Sequence, residues 1–206
     1  DGGLIEAGLP NGVKHTFERI PAHIFEDEDA ASERLAEKIA GKDAWTLADL
    51  TGGLGVDSWF FSQKAEKVLY NEMQTALCDA ARHNFKTLEA GNIHINNAKA
   101  ESGAIGSILS GFCPDIIYMD PARRGEGGKK VFLIEECTPD VLTLKEEIFS
   151  FCRHILIKLS PMADISMVCD RLGETCYMVL ATSHNDYPMA STMTCLVFDD
   201  AIWMQT

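Results

Sequence analysis

The chain has 206 residues, a net charge of −13 and 46% hydrophobic residues. This composition is typical of one globular domain with a sizeable core, and it excludes a disordered or fibrous protein. Phosphate binding normally needs a basic surface, so the acidic charge argues against nucleic-acid binding by bulk electrostatics in this chain alone.

Cysteines and histidines are scattered along the chain without the spacing of a metal site or a disulfide framework. They indicate buried free thiols in a reducing compartment and predict no bound metal. No apolar run reaches the length of about 18 residues that a membrane-spanning helix needs, and no signal-peptide pattern is present. We therefore expect a cytoplasmic protein that does not act in a membrane.

The first predicted elements are irregular. Residues 1–26 show no sustained hydrophobic period, so we expect an irregular lead-in or the remnant of an upstream domain, followed by one domain over residues 27–206. The pattern over 29–41 predicts an amphipathic helix, because acidic residues precede it and Gly41 can end it.

From residue 45 onward, short apolar runs alternate with helical stretches. Strands are predicted at 45–50, 67–71, 92–96, 115–119 and 154–159, and helices at 57–65, 74–89, 139–152 and 164–172. This alternation predicts an α/β fold with a doubly wound, Rossmann-like and mostly parallel sheet. Two final β-rich runs, 175–181 and 192–198, predict a hairpin whose last strand is antiparallel, for a total of seven strands.

A glycine-rich run, Asp49-Leu50-Thr51-Gly52-Gly53-Leu54-Gly55-Val56-Asp57, follows the first of these strands. Glycines allow a tight turn and a close approach of a ligand to the backbone, and the following helix start offers unpaired N–H groups. The run predicts a ligand-binding loop, whose candidate residues are Asp49, Thr51, Gly53, Gly55 and Asp57. It matches the dinucleotide fingerprint only in part, because Ser58 stands at the third glycine position.

Three polar residues follow Asp49 at intervals of about one βα unit. Glu72, Asn97 and Asp120 come after successive apolar runs, at intervals of 23, 25 and 23 residues. Because the carboxyl ends of parallel strands share one edge of a sheet, we expect these side chains to line one crevice.

The residues after the second and third strands suit a nucleoside. The Glu72 carboxylate can accept hydrogen bonds from both hydroxyls of a ribose. Met73 can lie against an adenine face, and Asn97 can contact the adenine edge. For Met73 and Asn97 a packing or turn role is equally open.

The segment Asp120-Pro121-Ala122-Arg123-Arg124 follows the most apolar strand. The Asp-Pro step stiffens the turn and directs the Asp120 carboxylate into the crevice, where it can accept a proton from a substrate. We therefore take Asp120 and Pro121 as the candidate catalytic residues. Arg123 and Arg124 offer donor forks for phosphate or carboxylate, although a solvated surface loop is also open for them.

This order of glycine loop, acid, amide and Asp-Pro turn resembles class I S-adenosylmethionine-dependent methyltransferases over about residues 45–160. The resemblance implies S-adenosyl-L-methionine as cofactor, with the loop as its binding site. It further implies that Glu72 binds the ribose and that Asn97 and Ala98 contact the adenine. The first glycine of the family's loop is Thr51 here.

Within that superfamily, four segments resemble bacterial THUMP-like methyltransferases. They are Asp49–Asp57, Ala81-x-x-Asn84, Asp120–Arg124 and Lys158–Met162. This resemblance implies an RNA substrate, reached through an additional domain or partner. It implies that Arg123, Arg124 and Lys158 bind an anionic part of that substrate.

Uracil-carbon methyltransferases share an Asp-Pro turn but use a cysteine nucleophile. The segment where the cysteine would be expected, 158–161, contains none. Cys137 is the remaining candidate nucleophile, but packing at a helix start is favoured for it. The sequence therefore favours direct methyl transfer without a covalent enzyme intermediate.

Three other interpretations stay open: a non-catalytic cofactor-binding subunit, a methyltransferase acting on a small molecule or protein, and a nicotinamide-dependent oxidoreductase. The oligomeric state is not indicated.

Overall fold

A computed structural model describes residues 4–8, 14–20, 36–37, 40–122, 134–159, 167, 171, 177–180, 195–198 and 201–205. The strands are β1 (Leu4–Gly8), β2 (Lys14–Ile20), β3 (Thr46–Asp49), β4 (Lys67–Asn71), β5 (Ile93–Asn96), β6 (Ile116–Met119), β7 (Ile155–Leu159), β8 (Tyr177–Leu180), β9 (Cys195–Phe198) and β10 (Ala201–Gln205). The helices are α1 (Val56–Ser62), α2 (Thr75–Thr87), α3 (Ile105–Leu109) and α4 (Val141–Phe151), with a 3-10 turn at Ile134–Glu136.

Five strands form the parallel sheet that positions the site. Their spatial order is β5-β4-β3-β6-β7, and β8 pairs in parallel with β7 at the edge. Along the chain, β4 and β5 are added on one side of β3, and β6 and β7 are added on the other side. The strand order therefore reverses between β3 and β6. In open α/β sheets this reversal opens a crevice at the carboxyl ends of the strands, where ligands bind.

The central strand β6 shows why the apolar runs become strands. All four of its residues are buried, as expected when helices cover both faces of a parallel sheet. Side chains alternate between the faces: Ile116 and Tyr118 join one core cluster, whereas Ile117 and Met119 join another. The five predicted central strands are confirmed, with ends that agree or differ by one residue.

Helices pack on both faces of the sheet. On one face the Phe61 ring of α1 meets Tyr118 edge-on, with ring centroids 4.8 Å apart. On the other face α4 buries Leu144 and Ile148, and its first turn is capped by the Asp140 carboxylate, which accepts a hydrogen bond from the Leu142 amide. In the described parts of the chain, no helix combines the length and apolar character that crossing a membrane requires.

The N-terminal segment differs from the irregular lead-in expected over 1–26. β1 and β2 form an antiparallel pair, and β2 pairs in parallel with β10. These partners lie more than 180 positions apart, so a local search for periodicity could not detect the pairing that stabilises the segment. The division at residue 27 into an upstream remnant and a main domain stays a prediction.

Other expectations at the ends of the chain stay open. Most of the predicted helices at 29–41 and 164–172 lies outside the described residues. Within the described segments, β9 pairs with β10 in a separate sheet, so the seventh strand and the final antiparallel strand of the main sheet are not shown.

Candidate functional site

Asp49 ends β3 at the point where the strand order reverses. Its side chain is 1% exposed, and it accepts hydrogen bonds from the Ser58 hydroxyl at 2.6 Å and the Thr51 amide at 2.9 Å. Burial disfavours its charged form and raises its pKa to about 7, while these hydrogen bonds act in the opposite direction. Asp57 and Asp120 add to the rise through charge repulsion. The predicted loop acid is therefore a buried group that titrates near neutral pH.

The glycine loop is shaped by contacts that only glycine permits. Gly55 has a φ of +86°, and a Cβ there would lie 2.5 Å from the Phe85 ring of α2. A Cβ on Gly52 would collide with the Tyr70 ring. Gly53 has a φ of +53°, but a Cβ on it would meet only the Thr51 carbonyl oxygen, at 3.9 Å. The Tyr70 and Phe85 rings therefore pack against the loop at Gly52 and Gly55, whereas the space beside Gly53 is open.

Glu72 lies beside this open part of the loop. It follows β4, its side chain is buried, and its two carboxylate oxygens accept hydrogen bonds from the Gly53 amide at 3.0 Å and the Gln74 amide at 2.8 Å. An ionised carboxylate has about four acceptor sites, so about two remain for further donors. A ribose presents two hydroxyls, and this acid and loop therefore fit a nucleoside cofactor.

The predicted base-contacting residues follow two neighbouring strands: Met73 comes after β4, and Asn97 and Ala98 come after β5. The Asn97 side chain donates to the Glu72 carbonyl oxygen at 2.7 Å and accepts from the Thr75 hydroxyl at 2.9 Å. Met73 is 51% exposed next to Glu72, and the Ala98 carbonyl accepts a hydrogen bond from a buried side chain of β4. The structure thus places all three near Glu72, and contact with adenine stays a prediction.

The Asp120-Pro121 turn begins at the end of β6, across the strand-order reversal from β3. The Asp120 amide donates to the Thr51 hydroxyl oxygen at 2.6 Å, which joins the turn to the glycine loop. Two backbone hydrogen bonds between Ala122 and Thr138, at 2.8 and 3.0 Å, hold the next part of the turn. The predicted substrate-binding residues Arg123 and Arg124 lie outside the described residues.

Lys158, predicted to bind substrate, lies within a cluster of charges. Its ammonium is 3.3 Å from Asp57 Oδ1 and 3.8 Å from Asp120 Oδ2. The other oxygen of Asp57 accepts a hydrogen bond from the Tyr118 hydroxyl at 2.9 Å. Burial raises the pKa of Tyr118 well above its usual value, and the charge of Asp57 adds to this rise, so the hydroxyl keeps its proton as a donor. Asp57 thus faces β6 and β7, and Lys158 joins two aspartates at the carboxyl edge.

Sequence reasoning missed several residues that hold the site together. Asn71 is fully buried: its side-chain amide donates to the Leu50 and Ala98 carbonyls and its oxygen accepts from Asn96, which joins three strands. The Tyr70 hydroxyl donates to the Gly53 carbonyl at 2.6 Å. The available signal was the presence of polar groups at the ends of otherwise apolar strands, because a buried polar side chain requires partners.

A separate apolar groove of about 350 Å³ lies between α1 and α2. Its walls include Leu54, Val56 and Leu88, each about half exposed, and it shares only Gly55 with the predicted site. The crevice beside Glu72 and Asp120 is therefore the better candidate, because charged and hydrogen-bonding groups converge there.

Comparison with solved structures identifies the fold. A protein assigned as a methyltransferase from Porphyromonas gingivalis W83 is 34% identical to this chain with a TM-score of 0.54, and the match covers 69% of this chain and 34% of that one. The chain has a Rossmann-like methyltransferase fold. It spans about a third of the length of that relative.

Other similar structures are more distant. An rRNA methylase from Streptococcus thermophilus is 12% identical with a TM-score of 0.45, covering 80% of this chain and 76% of that one. A protein assigned as an RNA methyltransferase from Pyrococcus horikoshii is 15% identical with a TM-score of 0.44, covering 78% and 60%. No family model matches this chain, and neither does any curated protein sequence.

Proposed function

We propose that the protein is an S-adenosylmethionine-dependent methyltransferase that acts on RNA by direct methyl transfer. The observation that carries the cofactor assignment is the contact between the Glu72 carboxylate and the Gly53 amide at 3.0 Å. It supports the proposal because it joins the carboxylate that would bind the ribose to a glycine loop at the carboxyl edge of the sheet. The methyltransferase fold favours S-adenosylmethionine over a nicotinamide cofactor as the ligand of this site.

Each part of the crevice has a role in this proposal. Glu72 and the loop amides would hold the nucleoside, and Met73 with Asn97 would contact its base. When bound, S-adenosylmethionine supplies an activated methyl group, so the protein mainly needs to position the acceptor. Asp120 is 38% exposed at the edge of the crevice, where it would orient the acceptor and take its proton. Lys158 holds that carboxylate in place.

The RNA substrate rests on the resemblance of the motifs to THUMP-like methyltransferases. The chain itself carries a net charge of −13, so RNA would be recruited by another domain or partner. The test therefore uses the full-length protein rather than this chain alone.

Transfer of a tritiated methyl group from S-adenosylmethionine to RNA tests the proposal. The full-length protein should label RNA from cells that lack its gene, and Asp120→Ala should lower turnover at least about 100-fold while leaving S-adenosylhomocysteine affinity within about threefold. The matched control is Asp79→Ala, which removes an exposed carboxylate on α2.

The outcomes separate the competing interpretations. Cofactor binding without methyl transfer to RNA would favour a non-catalytic subunit or a different acceptor. Binding of NAD in place of S-adenosylmethionine would favour an oxidoreductase. Full turnover by Asp120→Ala would remove that residue from the mechanism.

A further inference from the structure

The Thr51 hydroxyl bridges the ends of β3 and β6, where the strand order reverses. It lies 2.6 Å from the Asp120 amide nitrogen and 3.4 Å from Asp49 Oδ1. Thr51 also donates its own amide to the same Asp49 oxygen at 2.9 Å. One side chain therefore contacts both the buried acid of the glycine loop and the backbone of the proposed catalytic turn.

The directions of these hydrogen bonds follow from chemistry. A backbone amide can only donate, so the Thr51 hydroxyl oxygen is the acceptor for Asp120. This leaves the hydroxyl proton for the carboxylate of Asp49. The result is a directional chain from the Asp120 amide through the Thr51 hydroxyl to Asp49.

The hydroxyl also replaces a backbone acceptor. The Leu50 amide donates to the Tyr118 carbonyl at 3.0 Å, as in a parallel ladder. The next bond of that ladder would run from the Asp120 amide to the Leu50 carbonyl. That carbonyl instead accepts from the Asn71 side chain at 3.3 Å, and Thr51 takes the Asp120 amide. The strands can therefore separate here without leaving this amide unsatisfied.

We propose that Thr51 is a positioning residue that couples the glycine loop to the Asp120-Pro121 turn. Cofactor binding at the loop then changes the position and backbone hydrogen bonding of Asp120. Glycine at this position would have no side chain for either contact, and valine would keep the shape without the hydroxyl. The inference rests on the proposed cofactor site, whereas the link between Thr51 and Asp120 is present in the structure without any ligand.

Hydrogen exchange of single amides tests the link in the ligand-free protein. In Thr51→Val the Asp120 amide should exchange at least about fivefold faster, the factor that corresponds to about 1 kcal/mol for one hydrogen bond. Thr51→Ser should restore slow exchange. The Ile117 amide, bonded to the His154 carbonyl at 2.9 Å, is the internal reference for global opening.

A control variant isolates the effect of the lost hydroxyl. Thr87→Val removes a surface hydroxyl bonded to the His83 carbonyl on α2, and it should leave Asp120 exchange unchanged. Unchanged Asp120 exchange in Thr51→Val relative to Ile117 would overturn the proposal.

Addition of S-adenosylhomocysteine tests the coupling and needs no variant. In the wild type, binding should slow exchange at the Gly53 amide and change exchange at the Asp120 amide by at least about threefold. Slower exchange at Gly53 with no change at Asp120 would overturn the coupling. If neither amide responds and calorimetry shows no binding, the proposed function fails, and the ligand-free comparison still decides whether Thr51 holds Asp120.

Discussion

The pKa of Asp49 gives a pH dependence of stability whose sign and size can be worked out. In the unfolded chain this carboxyl has a pKa near 3.8, and in the folded protein burial raises it to about 7. Between these values the folded state holds a proton that the unfolded state has lost. Stability therefore falls as the pH rises from about 4 to about 7, at about 1.4 kcal/mol per pH unit, which gives about 4 kcal/mol in total.

Comparison with Asp49→Asn isolates this contribution. The amide is neutral at every pH, and it can accept from the Thr51 amide while donating to the Ser58 hydroxyl. Urea unfolding of both proteins between pH 5 and 8 should show the wild type losing about 3 kcal/mol relative to the variant. A constant difference over this range would refute the claim that Asp49 is buried and titrates near pH 7.

Asp115 provides a control of opposite sign. Burial disfavours its charged form, but hydrogen bonds from Lys42 and Thr46 outweigh this effect and lower its pKa. Its stabilising contribution is therefore present above the unfolded pKa and is lost as the pH falls. The difference between wild type and Asp115→Asn should decrease on acidification.

Three further substitutions test the packing and charges of the site. Gly55→Ala should lower the free energy of unfolding by about 2–4 kcal/mol, because Gly55 has a positive φ and the new Cβ would clash with Phe85. Its control is Gly91→Ala, whose Cβ would have no atom within 4 Å, and this variant should change the free energy of unfolding by less than about 1 kcal/mol. Lys158→Met should cost about 2–3 kcal/mol, because two aspartates lose their cation. Tyr118→Phe should cost about 1–3 kcal/mol, since Asp57 loses a donor. Urea unfolding measures all three, and wild-type stability in any of them would contradict the corresponding contact.

The central sheet could be predicted because its signal is local. A strand such as β6 is apolar throughout, and the spacing from Asp49 to Asp120 places polar residues at consecutive strand ends. The contact of Glu72 with the glycine loop follows from the same topology, since β3 and β4 are neighbours. Periodicity and spacing are therefore sufficient to predict contacts that follow directly from the order of the strands.

Contacts between distant side chains could not be predicted in this way. Lys158 and Asp57 are 101 positions apart, and Thr51 and Asp120 are 69 apart. The resemblance named Lys158 as a substrate-binding residue, but the sequence could not show that this lysine pairs with two aspartates. The pairing of β2 with β10 is a similar case, because neither strand carries a signal for its partner.

Calorimetric titration with S-adenosylmethionine tests the central claim most directly. The wild type should bind with micromolar affinity. Glu72→Gln should bind at least about 30-fold more weakly, because an amide keeps one acceptor oxygen in place of the two that hold the Gly53 and Gln74 amides. The control Glu101→Gln, at an exposed carboxylate, should bind as the wild type does. Absence of binding by the folded wild type, or equal binding by Glu72→Gln, would contradict the proposed cofactor site.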